Sequence, residues 1–264
     1  MNKKLFWSSF HPSSLIPHPL QQRSLELEHI DKGDYTTEEY EGCLLELRRV
    51  NRWLGDERAL RQTLLKEIAR AKLKSFSVLD VGAGSGELLR GVAWWARKQN
   101  AAAQLVGLEL NERSARAILE ESVAYREIAA VRGDALRLPF ADDTFDYAIC
   151  SLFTHHFRDE EIVRIVGEMS RVASRRIFII DLHRHRLAYL LYTTIGKLVL
   201  YNRLLREDGA LSILRSFRPG ELRQLGEVAG LTDLRIERRL PFRLVLSGGK
   251  REEAKSKRAA LESV

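Results

Sequence analysis

Residues 77–87 constrain the fold more than any other part of this 264-residue sequence. A short apolar run leads into three glycines at alternate positions, Gly82, Gly84 and Gly86, and a helical pattern starts at about Glu87. Glycine lets the backbone turn sharply and lets a ligand approach where a Cβ atom would collide. A strand, a glycine turn and a helix in this order predict a ligand site at the carboxyl end of a strand in an α/β sheet.

Short apolar runs alternate with helical stretches through the middle of the chain. The apolar runs predict five strands, at 76–80, 104–109, 129–132, 145–151 and 176–181. The stretches between them predict helices, at 87–98, 111–123 and 159–172. Because parallel neighbours need a crossover helix, this alternation predicts βαβ units and a mostly parallel sheet. Two final strands, at 234–240 and 242–246, are expected to close the sheet as an antiparallel pair.

The segments on either side of this core have different patterns. Two amphipathic helices are predicted at 38–54 and 57–73, and a Pro-started helix at 219–230. A long apolar helix is predicted at 187–205, followed by a polar turn at 206–209. We therefore divide the chain into a loose lead-in (1–33), N-terminal cap helices (34–74), a core (75–186), a helical cap insertion (187–216), the C-terminal part of the core sheet (217–248) and a basic flexible tail (249–264).

Three acidic residues follow the predicted strands. Asp80 lies two residues before Gly82, where a carboxylate would repel a pyrophosphate and attract an ammonium group. The third glycine, Gly86, also comes one residue earlier than in the Gly-x-Gly-x-x-Gly loop of dinucleotide folds. Glu109 can accept both hydrogen bonds of a ribose diol, which suits a nicotinamide cofactor as well, and Asp134 can accept one from an adenine amino group.

Four motifs occur in order between about residues 75 and 182, namely VLDVGAGSGELL, LVGLELN, GDALRLPFADDTFDYAICS and SLFTHHF. As a set they resemble the successive motifs of class I S-adenosylmethionine (SAM)-dependent methyltransferases. The resemblance implies an α/β, Rossmann-like fold with a seven-stranded, mostly parallel sheet and an antiparallel last strand. It also implies SAM as the methyl donor, S-adenosylhomocysteine (SAH) as its product, and no metal.

The resemblance also implies roles for individual residues. Asp80 and the loop of Gly82, Ala83, Gly84 and Gly86 would hold the methionine portion, Glu109 the ribose hydroxyls, and Asp134 with Ala135 the adenine. Leu110 and Ser151 are further candidate cofactor contacts. Where many relatives have a Pro-Gly-Gly turn before the fifth strand, this chain has Val-Ala-Ser-Arg-Arg at 172–176, a turn expected to lie away from the cofactor.

Candidate residues on the acceptor side are fewer. His155 and His156 follow the fourth strand, and an imidazole there can deprotonate a phenol, so both are candidate bases, with His156 ahead. His183 and Arg184 follow the fifth strand and can bind a carboxylate or phenolate. The N-terminal helices and the segments DLHRHRLAY and DGALSILRSFRP are similar in pattern to small bacterial methyltransferases of polyketide-type biosynthesis. This similarity implies that Asn51 or Arg52, late in an N-terminal helix, contacts the cofactor or the substrate.

The predicted function is O-methylation of a small, apolar, aromatic or polyketide-like molecule. C-methylation of a quinol-type ring is the alternative. We interpret residues 187–205 as a cap helix over an apolar pocket for a lipophilic substrate. Another interpretation is a surface helix that makes transient contact with a bilayer. Polar residues interrupt the stretch too often for a transmembrane span.

Composition sets limits on other functions. With 45% apolar residues the chain can build a sizeable core. The net charge of +7 raises a nucleic-acid methyltransferase or binding module as a rival, but the charge is spread along the chain and no Asn-Pro-Pro-Tyr type of motif follows the fourth strand, so no nucleic acid is expected. A nicotinamide-dependent oxidoreductase is the other rival. Two distant cysteines, Cys43 and Cys150, predict a reduced cytoplasmic protein without a disulfide or zinc site, and nothing fixes the oligomeric state.

Overall fold

The computed structural model describes residues 20–36, 38–39, 42–43, 46 and 55–250. Most of the predicted helix at 38–54, including Asn51 and Arg52, lies outside the described residues. The same is true of the lead-in up to residue 19 and of the basic tail from residue 251. Within the described part of the chain, no helix combines the length and the apolar character needed to cross a membrane.

A seven-stranded sheet forms the centre of the fold, with the strand order β3-β2-β1-β4-β5-β7-β6. The strands are β1 (Ser75–Val81), β2 (Ala102–Glu109), β3 (Ile128–Arg132), β4 (Phe145–Ser151), β5 (Ala173–Leu182), β6 (Thr232–Arg239) and β7 (Arg243–Gly249). Only β7 runs antiparallel to its neighbours, β5 and β6. The predicted Rossmann-like sheet with an antiparallel last strand is therefore confirmed.

Helices cover both faces of the sheet. They are α1 (His29–Lys32), α2 (Asp56–Leu60), α3 (Lys66–Arg70), α4 (Glu87–Lys98), α5 (Glu112–Glu121), α6 (Asp159–Val172), α7 (Arg186–Leu191), α8 (Lys197–Val199), α9 (Arg203–Arg215) and α10 (Pro219–Val228). A π-helical turn joins α2 to α3 (Arg61–Leu65), and another joins α7 to α8 (Tyr192–Gly196). A 3-10 turn, Thr154–His156, follows β4.

The core lies in two layers because side chains alternate across each strand. In β1, Leu79 packs into the layer that contains α6 and α10, whereas Val78 packs into the layer that contains α2 and α4. A third, smaller cluster joins Leu200, Leu204 and Cys43 beside the insertion. The sheet is thus buried on both faces, and its open edge for a ligand is the carboxyl end of the parallel strands.

The boundary between α6 and β5 differs from the prediction. The turn predicted at 172–176 is absent, since α6 ends at Val172 and β5 begins at Ala173. Val172 and Ala173 are both buried in the same hydrophobic cluster. Their burial lets the chain pass directly from helix to strand.

The insertion also differs from the prediction. The helix predicted at 187–205 ends at Val199, and Asn202 caps a new helix, α9, by accepting a hydrogen bond from the Leu205 N–H at 3.3 Å. The polar turn predicted at 206–209 lies inside α9. Asp208 is buried there because its carboxylate accepts hydrogen bonds from the backbone of residues 29 and 30, at 2.7 and 3.1 Å.

Residues 20–33, predicted as part of a loose lead-in, are fixed to the body of the fold. Leu20 is buried, and the Ser24 N–H donates to the Leu214 carbonyl at 3.0 Å. The Arg23 guanidinium donates to the Arg215 carbonyl at 2.8 Å and lies over the Phe217 ring, 4.4 Å from its centroid. This N-terminal segment therefore covers the edge of the sheet near the end of β4.

Candidate active site

The glycine loop turns the chain from β1 into α4. Gly82, Gly84 and Gly86 have φ angles of 71°, 58° and 80°, in the left-handed region that favours glycine. A Cβ atom on Gly82 would fall 2.3 Å from the Phe153 ring, so a side chain cannot fit there without movement. The Gly82 N–H donates to the Leu108 carbonyl at 2.9 Å, which ties the loop to β2.

Asp80 lies at the start of this loop and is almost completely buried. Burial, and then the nearby charge of Glu109, raise the pKa of the Asp80 carboxyl well above its usual range. A cation bound beside the carboxyl would reverse this effect, because it favours the ionised form. The buried acid is therefore suited to a positively charged ligand group such as an ammonium.

Glu109 ends β2 and connects to the loop directly. Its Oε1 atom accepts a hydrogen bond from the Gly84 N–H at 2.5 Å. Burial raises the pKa of Glu109, although hydrogen bonds from the Gly84 and Leu110 N–H groups act in the opposite direction. The Leu110 side chain itself is 66% exposed, so it presents an apolar surface beside the carboxylate.

Asp134 and Ala135 follow β3, beside an open groove that Gly133, Asp134 and Leu138 help to line. Asp134 is exposed and its Oδ1 atom accepts the Leu136 N–H at 2.9 Å, whereas Ala135 is buried. A hydrogen bond of 2.9 Å from the Gly133 N–H to the Glu109 carbonyl brings the ends of β2 and β3 together.

Ser151 is the last residue of β4, and its Oγ atom is buried without a hydrogen-bond partner among the described residues. Buried hydroxyls are nearly always paired, so this orphan atom indicates a partner supplied by a ligand or water. The Ser151 hydroxyl and the carboxyls of Asp80, Glu109 and Asp134 together form a set of hydrogen-bond donors and acceptors. This set fits a nucleoside that bears an amino acid, such as SAM.

Asp181, near the end of β5, organises the acceptor side. It is fully buried, and its carboxylate binds the His155 Nδ1 atom at 2.7 Å and the Thr154 hydroxyl at 2.6 Å. Burial raises the pKa of Asp181, but the charge and hydrogen bond of His155 and the hydrogen bond from Thr154 outweigh it and lower the pKa to about 2. This ionised carboxylate holds the 3-10 turn in place.

The two predicted bases differ in accessibility. The His155 side chain is 4% exposed and its Nε2 atom faces Glu28 at 3.9 Å. The His156 side chain is 29% exposed, and its Nδ1 atom lies 3.4 Å from an Asp31 carboxylate oxygen. Within the described part of the chain, the His156 Nε2 atom has no hydrogen-bond partner. His156 is thus the imidazole that is open to a reactant, and His155 is a buried neighbour.

Arg215 fixes the turn that carries both histidines. Its buried guanidinium donates to the carbonyls of His155, His156 and Glu26, at 3.1, 2.6 and 2.5 Å. Sequence reasoning did not select Arg215, Glu28 or any other member of this network outside the histidine pair. The one available signal was the acid that ends the apolar run of β5, Asp181, because strand ends on this edge face the site.

Among the described residues, one histidine and carboxylate group has the spacing of metal ligands. It consists of Glu28, His155 and His156, whose ligand atoms lie within 4.8 Å of one another. However, the Arg215 guanidinium lies 4.0 Å from Glu28 and already places a positive charge beside the cluster. Glu28 and the two histidines therefore form ion pairs and hydrogen bonds with other described residues.

His183 and Arg184 follow Asp181 in sequence and have different surroundings. Burial, followed by the charges of His185 and two arginines, lowers the pKa of His183 to about 4. Arg184 is buried and donates to Glu221 and to the carbonyls of Leu20, Ser216 and Gln21. Four of its five N–H groups are therefore used. Three of them join the N-terminal segment to α10, and the fourth binds Ser216, between α9 and α10.

Comparisons with known proteins agree with this geometry. Residues 78–176 match the family model of a methyltransferase domain. A search of curated proteins finds no match. The fold is similar to a SAM-dependent methyltransferase from Aquifex aeolicus, at 17% identity and a TM-score of 0.53, over 74% of this chain and 89% of that one.

Two further solved structures have the same fold. One is magnesium protoporphyrin IX methyltransferase from Synechocystis PCC 6803 with bound SAH, at 17% identity and a TM-score of 0.52, over 75% of this chain and 84% of that one. The other is human N-acetylserotonin methyltransferase in complex with SAM, at 13% identity and a TM-score of 0.59, over 85% of this chain and 63% of that one. The matched segment runs from β1 into β5 and contains the loops of the site, so residues 78–176 have the sequence pattern of a methyltransferase domain, and the chain has the fold of these SAM-dependent methyltransferases.

Proposed function

We propose that this protein transfers a methyl group from SAM to an oxygen atom of a small, apolar, aromatic or polyketide-like molecule. The sulfonium supplies an electrophilic methyl group, which an acceptor aligned behind it attacks in line. Asp80 pairs with the ammonium of the methionine portion, Glu109 accepts the ribose hydroxyls, and Asp134 accepts the adenine amino group. The raised pKa values of Asp80 and Glu109 support this, since both carboxyls lack a compensating cation.

The observation that carries the choice of oxygen is the position of His156. Its Nδ1 atom faces Asp31, whereas its Nε2 atom has no partner among the described residues. Burial raises the pKa of Asp31, but the hydrogen bond and charge of His156 and the charge of Arg215 outweigh it and lower that pKa. An ionised Asp31 orients the imidazole through its Nδ1 atom, so Nε2 can take the proton of a phenol.

An apolar wall beside the glycine loop supports an apolar acceptor. The Phe153 ring lies against Gly82 and packs on Phe157 at a centroid distance of 4.8 Å. Methyl transfer from a sulfonium to a phenolate removes opposite charges, and such a step is favoured where water is excluded. Aromatic side chains at this position therefore suit a flat, weakly polar acceptor.

The test is transfer of labelled methyl from SAM to a panel of phenols with alkyl chains of increasing length. His156→Asn is expected to lower kcat by roughly 10²–10⁴-fold, the usual contribution of a general base, with the Kd for SAH unchanged. His185→Asn, which changes an exposed histidine after β5, is the matched control and should retain full activity.

The identity of the product decides between the proposal and its alternative. An O-methyl ether, identified by NMR, supports the proposal. A product methylated on a ring carbon, or an undiminished rate for His156→Asn, contradicts it.

A further inference from the structure

The helical segment formed by α7, the π-helical turn and α8 presents an apolar face to solvent. Its large apolar side chains recur at helical spacing and are between 38% and 81% exposed; they are Leu187, Leu190, Leu191, Ile195, Leu198 and Val199. We call these six residues the apolar ridge. Monomeric proteins seldom expose so many large apolar side chains together, and where they do, the surface usually contacts a partner or a membrane.

The opposite face of the segment fixes its orientation. Ala188, Gly196 and Leu200 are buried, and the Tyr192 hydroxyl donates a hydrogen bond to the Leu205 carbonyl. Leu200 and Leu205 belong to the small cluster beside the insertion, which Tyr192 also contacts. Because this face is already packed, the segment cannot rotate to bury the apolar ridge.

The ridge segment and its flanks have basic side chains and no acidic one of their own, and acidic residues of other elements pair with two of the flanking arginines, Arg184 and Arg203. Between residues 182 and 206 the sequence has no acidic residue and five basic ones, Arg184, Arg186, Lys197, Arg203 and Arg206. Arg186 and Arg206 are exposed and form no ion pair with another described residue. Basic side chains beside an apolar helix face attract anionic headgroups.

We propose that the apolar ridge docks on an anionic membrane surface, with the segment lying in the plane of the interface. A second copy of the chain fits less well. A two-fold contact would place the ridge against itself and bring the basic flanks of both copies together, without an acidic residue between 182 and 206 to neutralise them. This proposal does not depend on the identity of the methyl acceptor.

The test is flotation of the full-length protein with vesicles of phosphatidylcholine containing about 30 mol% phosphatidylglycerol, compared with phosphatidylcholine alone. The wild type is expected to bind the anionic vesicles and to be released by salt. The triple variant Leu190→Ser/Ile195→Ser/Leu198→Ser should bind at least about tenfold more weakly, since three inserted side chains are lost.

The matched control removes three exposed apolar side chains elsewhere, in Leu119→Ser/Val123→Ser/Val228→Ser, and should bind vesicles like the wild type. Thermal unfolding and SAH affinity are measured for both variants and should match the wild type. The proposal is overturned if the wild type does not bind anionic vesicles. It is also overturned if the ridge variant has a lower Tm, because the chain itself would then cover the ridge. Finally, it is overturned if the ridge variant converts a dimer to a monomer without changing vesicle binding.

Discussion

The two halves of the candidate site are held together in different ways. The donor edge, formed by Asp80, Glu109 and Asp134, is built from contacts between neighbouring motifs, such as the bond from Gly84 to Glu109 across 25 residues. The acceptor edge, formed by Asp181 and the two histidines, contains a contact of similar span, from Asp181 to His155 across 26 residues, but also depends on contacts across much longer stretches. Arg215 reaches Glu26 across 189 residues and His155 across 60. The donor edge therefore follows from local sequence, whereas the acceptor edge exists only in the folded chain.

The carboxyl pKa values at the two edges are shifted in opposite directions. Asp80 and Glu109 have raised pKa values because burial is not compensated, whereas Asp181 has a lowered one because His155 and Thr154 satisfy it. An uncompensated acid is costly to the free protein and gains free energy when a cation or donor binds. We infer that the donor-edge carboxyls are arranged for a ligand, whereas Asp181 is arranged to stabilise the turn that presents His156.

The largest expected effect is that of Asp181→Asn on stability. Removing one partner of a buried charged pair should cost roughly 3–5 kcal/mol of unfolding free energy, while the Kd for SAH changes little. Urea denaturation measures the first and calorimetry the second. Glu57→Gln, which breaks the pair with Arg61 in which both side chains are more than half exposed, is the control and should cost at most about 1 kcal/mol.

The stability that Asp181 contributes should depend on pH. The folded pKa of Asp181 is about 2, below the ordinary value of about 3.9 for an unfolded aspartate. Its stabilisation is therefore complete above the unfolded value and is lost as the pH falls from about 4 to about 2. Equal losses of stability in wild type and Asp181→Asn over this window would contradict the assignment.

Glu109→Ala, in contrast to Asp181→Asn, should weaken SAH binding rather than stability. It is expected to weaken SAH binding by about 100-fold, because two hydrogen bonds to a charged acceptor are lost, and to leave the unfolding free energy nearly unchanged. Glu112→Ala, three residues later on the surface of α5, changes only exposed ion pairs and serves as the control. A Glu109→Ala protein that binds SAH like the wild type would remove Glu109 from the donor edge.

Gly82→Ala tests where the two edges meet, since Gly82 touches Phe153. We expect roughly a tenfold loss of SAH affinity together with a lower Tm, because the new Cβ atom collides with the ring as well as straining the backbone. Gly33→Ala is a matched control, with the same φ of 71° and no atom within 4 Å of the added Cβ. Similar Tm changes in the two variants would show that strain alone is responsible.

The smallest effect concerns His183, whose folded pKa of about 4 lies below its ordinary value of about 6.5. The folded state holds this imidazole neutral, so stability is complete above the unfolded value and falls as the pH drops from about 6.5 to about 4. His183→Gln should remove this part of the pH dependence of the Tm. A variant whose Tm falls with pH as steeply as the wild type would assign the dependence to other groups.

Elements that depend on local interactions are predicted correctly from the sequence, whereas those that depend on contacts between distant residues are not. Periodicity in the sequence predicts the seven strands and the helices between β1 and β5, because each is a local pattern. The break at Leu200–Asn202 and the helical course of 206–209 are not local, since burial of Asp208 by residues 29 and 30 decides them. In the same way, His156 was identified by its motif, but Asp31 and Glu28, which surround it, lie more than 120 residues away in sequence.

The most direct test of the account is a crystal structure of the protein with SAH. We expect the amino-acid end of SAH beside Asp80, its ribose hydroxyls on the Glu109 carboxylate, its adenine at Asp134, and its sulfur turned toward the His156 side of the site. A structure in which SAH binds without contacting Asp80 and Glu109, or in which NAD occupies the glycine loop and SAH does not bind, would contradict it.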